Sequence, residues 1–442
     1  MKVINNVLHQ SFTEHPEFGI LKGVKVFITG TNIAGPFAGS LMSEMGAQVL
    51  QAESPKIPCQ TRGDYGWAQN KRNCYSITIN TATKAGKDVF LKAIEWADIW
   101  IEAGRPGSYS KRGLSDDVCW EINPKLTIVH VSGFGQFGPY KDQPSYDAIG
   151  QAMGGYIYMN GEGPTSAPLK VNPYLSDYVT AYNAALCALA GHLHSVKYGE
   201  GDSCDVAQYD TMFRMLDIYP AKWFNCGYPA AGEPVVDRMG NAGAACGMGF
   251  FNSKDGGSIY LTMTGVGPVH RGYPLIGVPE EDYDETCTGY IATSPIGIKI
   301  NGILADFCLR YTLDELEAIF NEHAIPCQKV YGPEQMLNDP QYAARENIVE
   351  WEDSVYGPMK GIGITNRFQK NPSQIFSSAP TMGEHNREIL TAWGFSEEAI
   401  DTMYERGELT TWTAADTARN KKLKEWGFFW DPDRQCARLG IG

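Results

Sequence analysis

The sequence lacks the spacings that mark metal and redox sites. Its 11 cysteines are scattered through 442 residues, and the two nearest in sequence are Cys59 and Cys74. No Cys-x-x-Cys and no His-Glu-x-x-His occurs, so neither a zinc site nor a redox dithiol is signalled. An odd cysteine count without framework spacing fits a reducing cytosol. His192 and His194 stand two apart, face different ways on a helix, and are read as helix-end residues rather than ligands. Positive charge is in the minority, with 37 Lys and Arg against 51 Asp and Glu and a formal net charge of −14. A DNA or RNA partner is therefore not expected as a bulk effect, which leaves room for a local basic site holding a smaller phosphate ligand. No stretch approaches about 20 apolar residues, so no membrane span is expected. The N-terminus Met1-Lys-Val-Ile-Asn-Asn-Val-Leu8 is polar from its fifth position and carries no signal-peptide core. The expectation is a soluble, cytoplasmic protein.

What is present is a full complement of core: 43% of residues are hydrophobic and 20% charged. The length suggests roughly two to three domains. Val24-Lys-Val-Phe-Ile-Thr29 reads as a strand and Gly30-Thr-Asn-Ile-Ala-Gly-Pro36 as a turn. A helix from Phe37 closes at Gly46, and Ala47-Gln-Val-Leu-Gln-Ala-Glu53 is the next strand. This is a βαβ unit of the doubly wound kind. A dinucleotide site would want Gly-x-Gly-x-x-Gly at the turn. The spacing here is Gly30-x4-Gly35, interrupted by Asn32 and Pro36, so neither NAD nor FAD is expected.

The alternation continues with strand Tyr75–Ile79, helix Lys84–Ala97 (Leu91, Ile94 and Glu95 on its inner face), strand Asp98–Glu102, helix 115–121 and strand Leu126–Ser132. A mostly parallel sheet follows from that pattern. Ligands in such sheets bind at strand carboxyl ends, which groups the loops after Thr29, Glu102 and Ser132 around one site. Lys71, Arg72, Arg105 and Arg112 lie in or near those loops, a set of cations suited to phosphate or carboxylate. Val171-Asn-Pro-Tyr-Leu-Ser-Asp177 then leads from an extended segment into a long apolar helix. Asp177 near its first turn has two readings: a carboxylate settled on free helix N–H groups, or a nucleophile held ionised by the same helix end. The local pattern leaves both open.

From about residue 218 glycine, proline and aromatics rise. Met239–Gly249 is a run of small residues, and Phe250–Thr264 is a hairpin turning at Lys254-Asp-Gly-Gly257. Thr312–His323 is an amphipathic helix and Ile325–Val330 a strand. The predicted organisation is a large α/β domain over 1–220, a small α+β domain over 235–332, and a return to the large domain over 333–442. That last span ends in a tail carrying Trp412, Trp426 and Trp430.

Eight segments in order give the chain a family likeness. They are Leu21-Lys-Gly-Val-Lys-Val, Ala34-Gly-Pro, Met45-Gly-Ala-Gln-Val, Val131-Ser-Gly-Phe-Gly-Gln-Phe-Gly-Pro139, the Asp177 segment, Gly199-Glu-Gly-Asp-Ser-Cys-Asp-Val, Asn338-Asp-Pro-Gln and Ala379-Pro-Thr-Met-Gly-Glu-His-Asn386. Together they resemble the class III CoA-transferases, the family of the carnitine, bile-acid and formyl-CoA enzymes, over roughly residues 20–405. The resemblance implies a Rossmann-like large domain built from both chain ends, a smaller domain, and a homodimer whose subunits interlock. It implies coenzyme A as substrate and product, an acyl-CoA donor and a carboxylic acid acceptor, with no metal and no NAD.

By the same resemblance Asp177 falls on the catalytic aspartate, and Arg105 and Arg112 on positions that bind CoA phosphates. Arg105 departs from the Lys of the carnitine enzyme but keeps the charge. The Asn70-Lys71-Arg72 segment and the Gly30–Ala34 loop, with Asn32 and Ala34, line the CoA cleft. A contiguous glycine run over the active site is missing, and Gly240–Gly249 is the looser substitute. The implied chemistry passes through a mixed anhydride and an aspartyl-CoA thioester, with backbone N–H groups near the helix start as oxyanion donors. An α-methylacyl-CoA racemase would need a His where Tyr146 stands, and a phenol titrating near 10 is a poor base. A non-catalytic CoA-binding regulator is the other alternative, opposed by the intact Asp177. For the acceptor, Asn172–Asp177, Asp205-Val-Ala-Gln-Tyr and Met263-Thr-Gly most resemble bile-acid CoA-transferases, with carnitine-type enzymes next. The aromatics Tyr146, Tyr156, Tyr158, Tyr174 and Trp223 suit a ring system or a quaternary ammonium.

Overall fold

In the computed structural model, residues 1–411 are described except 58, 60, 63–64, 164, 227–237, 239 and 241–242. The Trp-bearing tail and part of the Gly240–Gly249 run lie outside the described residues. The chain divides into two compact units, one of Met1–Gly154, Pro173–Phe213 and Pro340–Gly442, the other of Gly155–Asn172 and Arg214–Asp339. The smaller unit thus also takes in 155–172, a stretch the sequence alone assigns to the larger one.

The larger unit opens with a short strand β1 (Lys2–Val3), then alternates β2 (Lys25–Gly30), α1 (Pro36–Glu44), β3 (Gln48–Glu53), α2 (Tyr65–Asn70), β4 (Cys74–Thr78) and α3 (Lys84–Trp96). It continues with β5 (Ile99–Ala103), α4 (Asp116–Ile122), β6 (Thr127–Ser132) and α5 (Asp147–Met153). After α6 (Tyr156–Met159) in the smaller unit come α7 (Leu175–Tyr198), β7 (Ser203–Ala207) and α8 (Gln208–Arg214). Strands β2 to β7 form one parallel sheet in the order β4-β3-β2-β5-β6-β7. The winding reverses between β2 and β5, and there the loops leaving the strand ends part to open a crevice.

Both faces of the sheet are apolar because its strands alternate with a period of two between two buried layers. Phe27, Leu50, Tyr75, Ile77, Trp100 and Ile128 face the layer of α3. Val26, Ile28, Val49, Ile99, Ile101, Val129 and Val131 face the layer of α1 and α7. Helix α7 meets that layer with Ala181, Ala184, Ala185 and Ala188, whose small side chains let it lie close to the strands. On α3 the inner face is Val89, Phe90, Ala93 and Ile94. Glu95, expected inside, is exposed and pairs with Lys92 at 2.7 Å. Its position one residue past Ile94 turns it away from the core.

The smaller unit is built on an antiparallel sheet of β8 (Met248–Asn252), β9 (Ser258–Thr262) and β10 (Cys327–Lys329), with β9 central. Ile259, Leu261, Tyr273, Ile300, Leu304, Leu316 and Phe320 form its core. The amphipathic helix appears as Leu313–Glu322, begun by a capping box in which Thr312 and Glu315 satisfy each other's backbone N–H.

The chain then returns to the larger unit. Strands β11 (Ile348–Asp353) and β12 (Gly357–Ile362) pair with each other, and β11 with β1. The following segment covers the outer edge of β4: Ser76 N–H donates to His385 Nδ1 at 3.1 Å, Thr78 N–H to Asn386 Oδ1 at 2.8 Å, and Thr410 N–H to Thr78 Oγ1 at 2.9 Å. A strand edge that would otherwise offer free backbone groups is thereby closed. Burial holds His385 below the usual imidazole pKa, so Nδ1 accepts while Nε2–H donates to Gln10 O. Among the described residues no helix is long and apolar enough to cross a membrane.

Candidate active site

The carboxyl ends of β2, β5, β6 and β7 converge on a cavity of about 320 Å³. Thr31, Asn32 and Ala34 enter it from the turn after β2, and Gly104, Arg105 and Pro106 from the loop after β5. Ser132 and Gly133 come from the end of β6, and Gln208 from the end of β7. The turn after β2 can lie so near β5 only because it is glycine-lined: a Cβ on Gly35 would stand 2.4 Å from Ala103 Cβ. Asn32 takes the left-handed conformation at φ 66°, which asparagine tolerates better than most residues. Among the described residues its buried Oδ1 has no hydrogen-bond partner.

Asp177 closes the cavity from the first turn of α7 and is 8% exposed. The first turn is also met by Asp147, from α5, whose Oδ1 accepts Ser176 N–H at 2.8 Å and Asp177 N–H at 3.4 Å. Asp147 Oδ2 accepts from Gln151 Nε2 at 2.8 Å. Two N–H groups of the helix start, those of Ser176 and Asp177, are thus engaged by a carboxylate from another helix. Gln208 reaches Asp177 from the end of β7, its Nε2 donating to Oδ1 at 2.5 Å.

Of the cations, Arg105 is exposed on the wall of this cavity. Arg112 lies on an adjoining cavity of about 220 Å³, lined also by Ser54, Asn80 and Thr81, and donates to Thr81 Oγ1 at 2.7 Å. Thr31 borders both cavities. Lys71 and Arg72 are not brought there. Lys71 is buried, with Nζ 3.5 Å from Ser40 Oγ and 5.9 Å from the Trp67 ring. Burial holds its ammonium below the usual pKa. Arg72 pairs with Glu44 at 2.9 Å and stacks 4.6 Å from the centre of Trp351. Their position next to α1 and β4 gives both a place in the packing of the unit.

Sequence reasoning missed Asp147, Gln208 and Lys141, the last also lining the cavity. The first two become visible only when α5 and β7 are laid beside α7. It also missed His130, held between Glu102 (Nδ1 to Oε2, 2.8 Å) and Asp116 (Nε2 to Oδ2, 2.9 Å). Burial alone would lower its pKa, but the hydrogen bonds and charges of both carboxylates raise it to about 9. An imidazolium thus ties the ends of β5 and β6 to α4. Among the described residues no group of three or more His, Cys, Asp or Glu gathers to hold a metal ion.

Compared with known proteins, residues 21–386 match the model of the family described as CoA-transferase family III. The chain belongs to CoA-transferase family III. This family III CoA-transferase is accordingly an enzyme that moves coenzyme A between an acyl-CoA and a carboxylic acid, with CoA as substrate and product. It is 44% identical over 418 residues to the bile acid CoA-transferase BaiK of Clostridium scindens, covering 93% of this chain and 94% of that one. Among solved structures it is similar to a CAIB/BAIF family protein from Brucella suis, with TM-score 0.71 and 24% identity over 85% of this chain and 100% of that one. It is also similar to Rv3272 from Mycobacterium tuberculosis, with TM-score 0.72 and 23% identity over 84% and 99% of the two chains. At those identities the likeness is one of fold.

Proposed function

We propose that this CoA-transferase carries CoA from an acyl-CoA donor to a bile acid through a covalent intermediate on Asp177. The observation that carries the reading is the carboxylate of Asp177 at the cavity where the strand ends meet, in a chain of this family. The Asp177 carboxylate attacks the donor carbonyl, the C–S bond breaks, and the electron pair leaves on the CoA sulfur. The thiolate then attacks the resulting mixed anhydride at the aspartyl carbon and expels the donor acid, leaving an aspartyl-CoA thioester. The acceptor carboxylate reverses the two steps. One demanding exchange becomes several easier ones.

The CoA moiety takes the two cavities that share Thr31, its phosphates by Arg112 and Arg105 and its thioester by Asp177. Asn32 and Ala34 line the cavity with Arg105 and Asp177, and among the described residues Asn32 Oδ1 has no hydrogen-bond partner. Lys71 and Arg72 support the cleft from within the packing. Tyr146, exposed on the cavity rim, offers a ring face to the acceptor. The identity to a bile acid CoA-transferase supports a steroid acid over γ-butyrobetaine as acceptor. Two subunits form the working enzyme, a reading supported by the outer stripe of α7, where Tyr182, Leu186, Leu193 and Val196 are all exposed.

Intact-protein mass spectrometry after mixing with cholyl-CoA and with γ-butyrobetainyl-CoA tests the reading. A CoA adduct mapping to Asp177, fastest with the steroid thioester and lost in Asp177→Ala, is the expected result. Turnover without any adduct, or an Asp177→Ala variant that still transfers CoA, overturns it.

A further inference from the structure

The arrangement around Gln208 is more specific than filling a cavity wall requires. Its side chain is 5% exposed and its amide is held at both ends: Nε2 donates to Asp177 Oδ1 at 2.5 Å, and Oε1 accepts from Ser145 Oγ at 3.1 Å. A carboxylate oxygen offers only lone pairs, so the NH2 end of the amide must face it, and the Ser145 hydroxyl fixes the opposite end as acceptor. Two close approaches set this geometry. Gly133 lies under Ser145, where a Cβ would stand 2.1 Å from Ser145 Cβ. Gly150 lies under Gln208, where a Cβ would stand 3.0 Å from Gln208 Cβ and 2.4 Å from Ser176 Oγ. The helix N–H groups at 176 and 177 already serve Asp147. The carboxamide of Gln208 is a donor built against the Asp177 carboxylate.

We propose that Gln208 is a catalytic residue of the transfer, the oxyanion donor for the tetrahedral states that form at the aspartyl carbon, oriented by Ser145. The proposal rests on the reading of Asp177 as nucleophile. In the step it serves, the CoA thiolate adds to the aspartyl carbon of the mixed anhydride. A C–S bond forms, and the carbonyl electron pair moves onto the oxygen facing Gln208. On collapse that pair re-forms the carbonyl, the bond from the aspartyl carbon to the bridging oxygen breaks, and the donor acid leaves as its carboxylate with the electron pair. No proton is transferred. The reverse addition, by the acceptor carboxylate on the aspartyl-CoA thioester, places charge on the same oxygen. A donor fixed at hydrogen-bond distance in a buried site stabilises that charge without having to reorganise. The contact also assigns roles to the two oxygens of Asp177: the one facing Gln208 stays with the protein through the half-reaction, and the other departs with the donor acid.

Two variants and two readouts test this. Gln208→Leu keeps the side-chain bulk and removes the donor. It is expected to slow formation of the CoA adduct on Asp177 by on the order of a hundredfold to a thousandfold, with CoA affinity by calorimetry unchanged. Gln208→Glu donates only when protonated, and when ionised it sets a second negative charge against Asp177. Its activity is expected to rise as pH falls across a range where the wild type is level, a dependence that a packing role would not produce. Adduct formation at the wild-type rate in Gln208→Leu, or a Gln208→Glu pH profile that follows the wild type, overturns the proposal. A wild-type enzyme that turns over with no adduct on Asp177 overturns the nucleophile reading instead, so the two failures are distinguishable.

Discussion

Replacing Asp147 by alanine tests whether α7 is held at its start by a side chain remote in sequence. Asp147 is 4% exposed, and its carboxylate accepts from Ser176 N–H, Asp177 N–H and Gln151 Nε2. The bond to Ser176 at 2.8 Å is charge-assisted and contributes about 1.5–3 kcal/mol. The contact to Asp177 at 3.4 Å is long and adds little. About 3 kcal/mol is therefore expected to be lost from the first turn of α7, the turn that carries the candidate nucleophile. Because 1.4 kcal/mol is a factor of ten, amide exchange in a peptide spanning residues 174–180 should quicken on the order of a hundredfold. A misplacement of Asp177 by about 1 Å would lower kcat by a similar factor. Hydrogen–deuterium exchange read beside steady-state kinetics measures both effects. Unchanged exchange across that turn in Asp147→Ala would refute the hold of Asp147 on it.

Two further perturbations follow from buried charge. His130 has its folded pKa raised to about 9, above the unfolded value near 6.5. Its contribution is therefore complete below pH 6.5 and is lost as pH rises through about 9. Thermal unfolding of the wild type should weaken over that window relative to His130→Asn, and parallel pH dependence of the two would count against an imidazolium between Glu102 and Asp116. Lys71→Met removes a buried ammonium whose hydrogen bond to Ser40 is a long 3.5 Å. That variant is expected to be at least as stable as the wild type, gaining about 1 kcal/mol in urea unfolding, with an unchanged KM for acyl-CoA. A raised KM would instead place Lys71 on the ligand.

Much of this architecture was readable along the chain because its signals are local. The alternation of Val26, Phe27 and Ile28, and of Ile99, Trp100 and Ile101, announces strands buried on two faces. The switch-point rule brings the loops after Thr29, Glu102 and Ser132 together, and the cavity lies there. Arg105, Asn32 and Ala34 sit beside Asp177 for that reason. What stayed hidden is tertiary in origin. Nothing near Asp147 in sequence marks it as the partner of a helix beginning 28 residues later at Leu175, and nothing at Gln208 points to Asp177, 31 residues away. Lys71 and Arg72 read as ligand cations because charge in a polar loop is normally solvated; the fold instead encloses them beside Trp67 and against Trp351.

The closure of the β4 edge has a consequence for how the chain is made. Thr78 leaves the ribosome 308 residues ahead of Asn386, the residue that binds its N–H. At 5–20 residues per second that interval is roughly 15–60 s. Throughout it the nascent sheet carries an open border able to pair with any extended neighbour. Synthesis arrested before the last hundred residues would therefore release a chain with its cavity loops in place and an adhesive flank, so that slow translation of the distal third should cost soluble yield more than slow translation of the first.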